Sequence, residues 1–207
     1  MMPGAIAMDA ALIKECSDPS LKPAIVEQFV AAVGSADPFA ITVKSGGRLI
    51  LVPKTTTPEG AMEVVRQHAG KAIVRVGLTQ FPAGVGVKDV FELTTDLVEP
   101  CKNLRMGTAM FAKILRIVSK WYGNPTNEEV FPQIFEDAIY AWGSGQFEGQ
   151  SVFQADDPGG NLAVKQVLDN EGDKAEEAGV QAEPAQAPDV SSDGAGIRID
   201  LSRINGK

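Results

Sequence analysis

Few side chains in this sequence can make or break a bond, and elementary chemistry removes most of them. The lone histidine, His68, stands near the end of a surface-patterned helix. It has no second imidazole with which to share a metal ion, and it would have to serve both Ser35 and Ser144 for either to act as a nucleophile. Gly84-Val85-Gly86 lacks the rest of a phosphate-cradling loop and reads as a turn. Two cysteines, Cys16 and Cys101, are too few for a zinc site; they are either two free thiols or one bridge. No metal and no cofactor are expected. Carboxylates remain as groups able to give and take a proton in general acid–base chemistry. Two of them, Glu27 and Asp37, stand on either side of the helix stop at Gly34. Glu27 lies six residues before Val33, roughly 240° around a helix, and reads as a solvated face. Asp37 precedes Pro38 and reads as a turn residue.

The elements that must position these groups follow from periodicity. Ser20-Leu21-Lys22-Pro23 reads as a helix start, with Ile25, Val26, Phe29, Val30 and Val33 at helical spacing and Gly34 as the stop. Residues 39–43 and 49–52 are β-prone and split by Ser45-Gly46-Gly47, which predicts a small hairpin around Val43 to Val52. Thr57-Pro58-Glu59 opens a second helix, and residues 72–78 form another β-prone run. Two stronger helices follow. One, over 104–122, carries Leu104, Phe111, Ile114, Leu115 and Val118 on one stripe. The other begins near Val130 and repeats Phe131, Ile134, Phe135, Ala138, Ile139 and Trp142. Helical spacing alone places Trp142 in the core.

The chain has 207 residues, 44% of them hydrophobic, and a formal net charge of -8. Residues 156–207 hold 11 Asp and Glu against 5 Lys and Arg, so most of that charge belongs to the last quarter of the chain. The near-neutral body argues against nucleic acid as a partner. Its apolar runs are too short for an integral membrane segment. Residues 1–11 have no Lys or Arg ahead of their apolar stretch, so a standard secretory signal is not expected. Beyond Asp156 the aromatics vanish and the composition predicts a flexible acidic tail. Within it, Ile197-Arg198-Ile199-Asp200-Leu201 alternates, a pattern read either as an accident of composition or as a docking strand in a 197–204 patch.

Four segments in order carry a resemblance. Ala32-Val33-Gly34-Ser35-Ala36-Asp37-Pro38-Phe39-Ala40-Ile41 resembles the E-S-x-x-N-P-x-A-I segment of lysozyme-like lytic transglycosylases. Gly77-Leu78-Thr79-Gln80-Phe81 is similar to their G-L-x-Q-I. Glu99-Pro100-Cys101-Lys102-Asn103-Leu104-Arg105-Met106-Gly107 resembles the D-P-C-x-N-L-R-x-G that opens the next helix in transglycosylases of conjugative type IV secretion systems. Ala141-Trp142-Gly143-Ser144-Gly145-Gln146-Phe147 stands where those enzymes have C-Y-x-S-G-x-F or A-Y-N-A-G. Within that group the chain looks most like the TraH family of plasmid conjugal-transfer proteins.

The resemblance implies an α+β, mainly helical fold: a lysozyme-like domain over residues 12–155 with a small β-hairpin insert, then the tail at 156–207. It also implies a lost catalytic acid, because Val33 occupies that position and offers no proton. Gln80, Tyr140 and Trp142 are then the candidate lining of a glycan groove, with Gln80 as a donor to substrate. The expected role is a non-catalytic module of a conjugative apparatus that binds peptidoglycan glycan strands or apparatus subunits. The alternative is an active lytic transglycosylase with its acid relocated to Asp37 or Glu27. Cys16 and Cys101 both have counterparts in the secretion-associated relatives, so a disulfide between them is one reading and free thiols the other. The family's setting is periplasmic, whereas the missing signal points to the cytoplasm.

Overall fold

Proline placement and inward apolar stripes set most of the helices. The computed structural model describes residues 9–160 and 162, which fall within one compact unit, Met1–Glu171. Helix α1, Ala10–Cys16, is capped by the Asp9 side chain accepting from the Ala11 N–H and buries Ile13 and Cys16. Helix α2, Pro23–Val33, begins with Pro23 in its first turn and buries Ile25, Val26, Phe29 and Val30. Its cap residue is Lys22, which makes no side-chain capping hydrogen bond, and not the Ser20 hydroxyl that the sequence suggests; Ser20 instead donates to Asp18, two residues earlier.

Strands β1, Ile41–Ser45, and β2, Arg48–Ile50, form the expected hairpin. Gly46 and Gly47 both have positive φ (56° and 78°), the backbone that a two-residue hairpin of matching twist requires. Helix α3, Pro58–His68, is capped by Thr57 and buries Ala61, Met62, Val64 and Val65. Strands β3, Ile73–Val76, and β4, Phe81–Pro82, complete an antiparallel sheet in the order β2-β1-β3-β4. Val43, Val74 and Val76 point into the core from one face.

Helix α4, Pro100–Trp121, is the longest element described, and Leu104, Phe111, Ile114, Leu115 and Val118 are all at most 1% exposed. It starts four residues before the point its apolar stripe predicts. Glu99, not a hydroxyl, caps it by accepting from the Cys101 and Lys102 N–H groups, and Pro100 fills the first turn. Helix α5, Phe131–Ser144, packs against α4 and ends at Gly145 in the left-handed region (φ 77°). The hairpin of β5, Gln146–Phe147, and β6, Gln150–Ser151, closes the described fold; like α1 and β4 it is too short to leave a periodic signal. Among the described residues the fold is α+β, as expected, with five α-helices and small antiparallel sheets. The alternating 197–204 patch, like most of the acidic tail, lies outside the described residues.

Candidate functional site

Three separated segments meet at one buried amide. Asn103, fully buried on α4, accepts through Oδ1 from the Thr79 N–H and the Thr79 hydroxyl, both at 2.9 Å. Its Nδ2 donates to the Val76 carbonyl at 3.0 Å and the Leu97 carbonyl at 2.7 Å. A side chain with two acceptor and two donor positions is thus fully engaged, and it locks the turn after β3 onto the first turns of α4. Two glycines make room for this. Gly77 has φ 76°, and a Cβ there would lie 2.4 Å from Asn103 Nδ2. A Cβ at Gly107 would lie 2.2 Å from the Thr79 hydroxyl oxygen. Gly107→Ala therefore lowers stability by about 1–3 kcal/mol through overpacking, partly offset by about 1 kcal/mol of helix propensity. Urea denaturation checks the sign, and a variant as stable as the parent would show that Thr79 yields freely.

The end of α2 abuts this turn. The Ser35 N–H donates to the Leu78 carbonyl at 2.9 Å. A Cβ at Gly34 would come within 2.3 Å of that same oxygen, so glycine here serves close approach, not a left-handed bend: φ is −88°. Val33 is half-buried and packs against the apolar core. Asp37 accepts from the Phe39 N–H at 2.9 Å, which holds its carboxylate in its own turn, and Glu27 is exposed on α2.

Gln80 sits beside them in a left-handed backbone conformation (φ 50°), uncommon for a residue with a side chain. Its amide is engaged by the protein. The Thr42 hydroxyl donates to Oε1 at 2.7 Å, and Nε2 donates to Gly77 O at 3.0 Å and Ala40 O at 3.4 Å. Both N–H groups expected to face a sugar instead tie β1 to the turn after β3.

The expected groove residues occupy three different settings. Trp142 is 1% exposed, which corrects its placement in a groove and agrees with its helical spacing. It stands edge-on to Phe29 at 5.0 Å and to Phe111 at 6.3 Å, because the inward stripe of α5 carries it between α2 and α4. Tyr140, two residues away and so on the far face of the same helix, is 72% exposed and lines a separate hollow with Asp137, Phe147 and Glu148. Gln80 remains at the sheet.

A cleft of about 710 Å³ opens where the sheet meets the end of α5, and the sequence reading passed over its central residue. Arg75 on β3 is paired with Thr42 of β1, so the two side chains rise from the sheet face opposite the core. One guanidinium nitrogen, Nη2, donates to Trp142 O at 2.6 Å and Gly143 O at 3.1 Å. The guanidinium lies over the Trp142 ring at 5.7 Å and the Phe153 ring at 5.2 Å. Lys113 fixes Phe153 there by donating to the Phe153 and Ala155 carbonyls. Burial pushes the Arg75 guanidinium down to about 10, so it remains a cation at neutral pH. Lys44, Lys71 and Lys88 line the same cleft. The sequence signal was present: a charge inside the β-prone run Ile73-Val74-Arg75-Val76.

Cys16 and Cys101 form a disulfide with Cα atoms 5.0 Å apart, joining the end of α1 to the start of α4. Among the described residues no cysteine is free and no group of histidine, cysteine, aspartate and glutamate could hold a metal ion. No described helix is long and apolar enough to cross a membrane.

Comparison with known proteins locates the chain among its relatives. The TraH_2 family matches residues 7–206. The uncharacterized protein y4dP of Sinorhizobium fredii (strain NBRC 101917 / NGR234) is 62% identical over 199 residues, covering 96% of this chain and 99% of that protein. No solved structure matches.

Proposed function

Because the chain belongs to the TraH_2 family of conjugal-transfer proteins, we propose that it serves a conjugative apparatus as a non-cleaving, transglycosylase-like module built from residues 12–155. The observation that carries the reading is the Asn103 joint. It gathers Gly77-Leu78-Thr79-Gln80 and the Asn103–Gly107 turn of α4 against the end of α2, so segments resembling the transglycosylase motifs are neighbours in space. The position matching that family's acid is Val33, an apolar side chain packed on the core. Neither proposed substitute acid is well placed. Glu27 faces solvent, and Asp37 is held by the Phe39 N–H. A general acid needs a carboxyl whose proton is retained near neutrality and aimed at the leaving oxygen. The Cys16–Cys101 disulfide supports an oxidising compartment, the side of the cell on which peptidoglycan lies.

In this reading the module holds glycan strands at the sites of transfer, or holds a subunit of the apparatus against them. Incubation of the purified full chain with peptidoglycan sacculi tests both halves. Turbidity stays constant, anhydromuropeptides do not accumulate, and the protein co-sediments with the sacculi. Lysis by the parent chain that vanishes in Asp37→Ala or Glu27→Ala would establish the active-enzyme alternative. Protein that stays in the supernatant while retaining its partners in the transfer apparatus would leave the subunit-binding half.

A further inference from the structure

The Arg75 cleft has the features of a site waiting for an anion. A cation taken partly out of water is costly unless paired, and the half-buried Arg75 has no carboxylate within ion-pair distance among the described residues. Two carbonyls and two aromatic faces hold it, which orients the guanidinium without neutralising it. Nη1 is buried and has no hydrogen-bond partner. An unpartnered buried donor is rare in folded proteins. Around the opening stand Lys44, Lys71 and Lys88, all exposed, against one lining carboxylate, Asp89. Asp89 already accepts from the Phe91 N–H. In a body that is nearly neutral apart from the last quarter of the chain, these lysines and Arg75 concentrate positive charge in one concave wall.

We propose that this cleft binds a carboxylate-bearing ligand of peptide or muramyl-peptide type, with Arg75 at its centre and Lys44, Lys71 and Lys88 at its rim. The planar guanidinium suits a carboxylate, and the apolar wall of Phe153, Pro82 and Val85 suits the backbone or sugar that carries it. A compact inorganic anion would use the charges and leave that wall empty. The assignment of a cell-wall source rests on the function proposed above; the preference for a carboxylate on a partly apolar body does not.

Calorimetric titration of the full chain separates these points. The probes are a soluble muramyl tripeptide with free carboxylates, the same compound with its carboxylates amidated, an acidic tripeptide without sugar, and inorganic phosphate. The free-carboxylate muramyl compound binds at least ten times more tightly than its amidated form, and raising the salt weakens it. In Lys44→Gln/Lys71→Gln/Lys88→Gln, which alters only exposed side chains, affinity falls about tenfold. In Arg75→Lys it falls further, because one ammonium cannot both hold the Trp142 and Gly143 carbonyls and keep a separate donor such as Nη1 for the ligand. Thermal melts of both variants confirm that the fold persists; should Arg75→Lys unfold, the triple variant decides. Equal binding of the amidated compound, tighter binding of phosphate than of either carboxylate, or affinity unchanged in the triple variant would overturn the proposal. Sacculi that fail to bind, beside an acidic tripeptide that does bind through the lysines, would remove the cell-wall reading and leave the cleft standing. Sacculi retained equally by parent and triple variant would remove the cleft and leave the cell-wall reading.

Discussion

Replacing Cys16 and Cys101 together by serine lowers the melting temperature by about 10–15 °C, equivalent to about 4 kcal/mol of stability. The bridge spans 85 residues of sequence, so its loss returns a large amount of conformational freedom to the unfolded chain. It also frees α1, which has only 7 residues and is too short to persist by backbone hydrogen bonding alone. Its remaining hold is Ile13 in the core and the Ser17 and Asp18 contacts, including the Asp18 N–H donating to the Thr108 hydroxyl at 2.8 Å. Hydrogen exchange in the variant therefore rises first in α1 and next at the start of α4. Thermal melts with and without a reducing agent provide the second check. The parent falls toward the variant when reduced, and the variant does not move. A parent whose melting temperature ignores reductant would mean that the unfolded chain gains little freedom from opening the bridge.

The parts of this fold legible in the sequence are those in which a long pattern and a local stop agree. Helices α2, α3 and α5 each combine an apolar stripe with proline in the first turn and glycine at or near the end. The β1–β2 hairpin combines two β-prone runs with a Gly-Gly turn. Helix α4 shows the limit of periodicity. Its apolar stripe begins at Leu104, but the helix begins at Pro100, because a capping carboxylate and a proline leave no apolar mark. Short elements such as α1, β4 and the β5–β6 hairpin fall below the length at which a period can be seen.

The candidate site was less legible for a different reason: the same residue type serves opposite purposes in different surroundings. Gln80 looks like a free donor in the sequence, yet its amide is consumed by Thr42, Gly77 and Ala40. Trp142 looks like a sugar platform by position and a core residue by spacing, and spacing prevails because α5 turns it between Phe29 and Phe111. Arg75 was hidden by its context. A single charge in a short apolar strand is a weak signal until register places it opposite Thr42 and under Phe153.

Asn103→Leu costs about 3–5 kcal/mol, the second large effect expected. Leucine keeps the branching of asparagine, but its methyl groups cannot approach the Val76 and Leu97 carbonyls as closely as the amide does at 3.0 and 2.7 Å, so overpacking adds to the lost hydrogen bonding. The substitution leaves the Val76 and Leu97 carbonyls and the Thr79 N–H without the partners they have now. Each such buried group costs about 1–3 kcal/mol, and the three share one side chain, so their costs do not simply add. Asn103→Asp distinguishes hydrogen bonding from shape. Its carboxylate still accepts from Thr79 but confronts the Val76 and Leu97 carbonyl oxygens, which repel the charge and raise the folded-state pKa. A group whose pKa is higher folded than unfolded contributes stability that is fully present below the unfolded value and lost as pH rises through the folded one. The protonated form can also donate to one of the two carbonyls. Relative to the parent, Asn103→Asp is therefore least impaired in acid and increasingly impaired toward neutral pH, whereas the deficit of Asn103→Leu does not vary with pH. Denaturation curves for the three chains across that range settle the matter. A pH-independent deficit in the aspartate variant would mean that the turn can move away from Asn103, and with it Gln80, which would leave the Asn103 joint unable to hold the motif segments together.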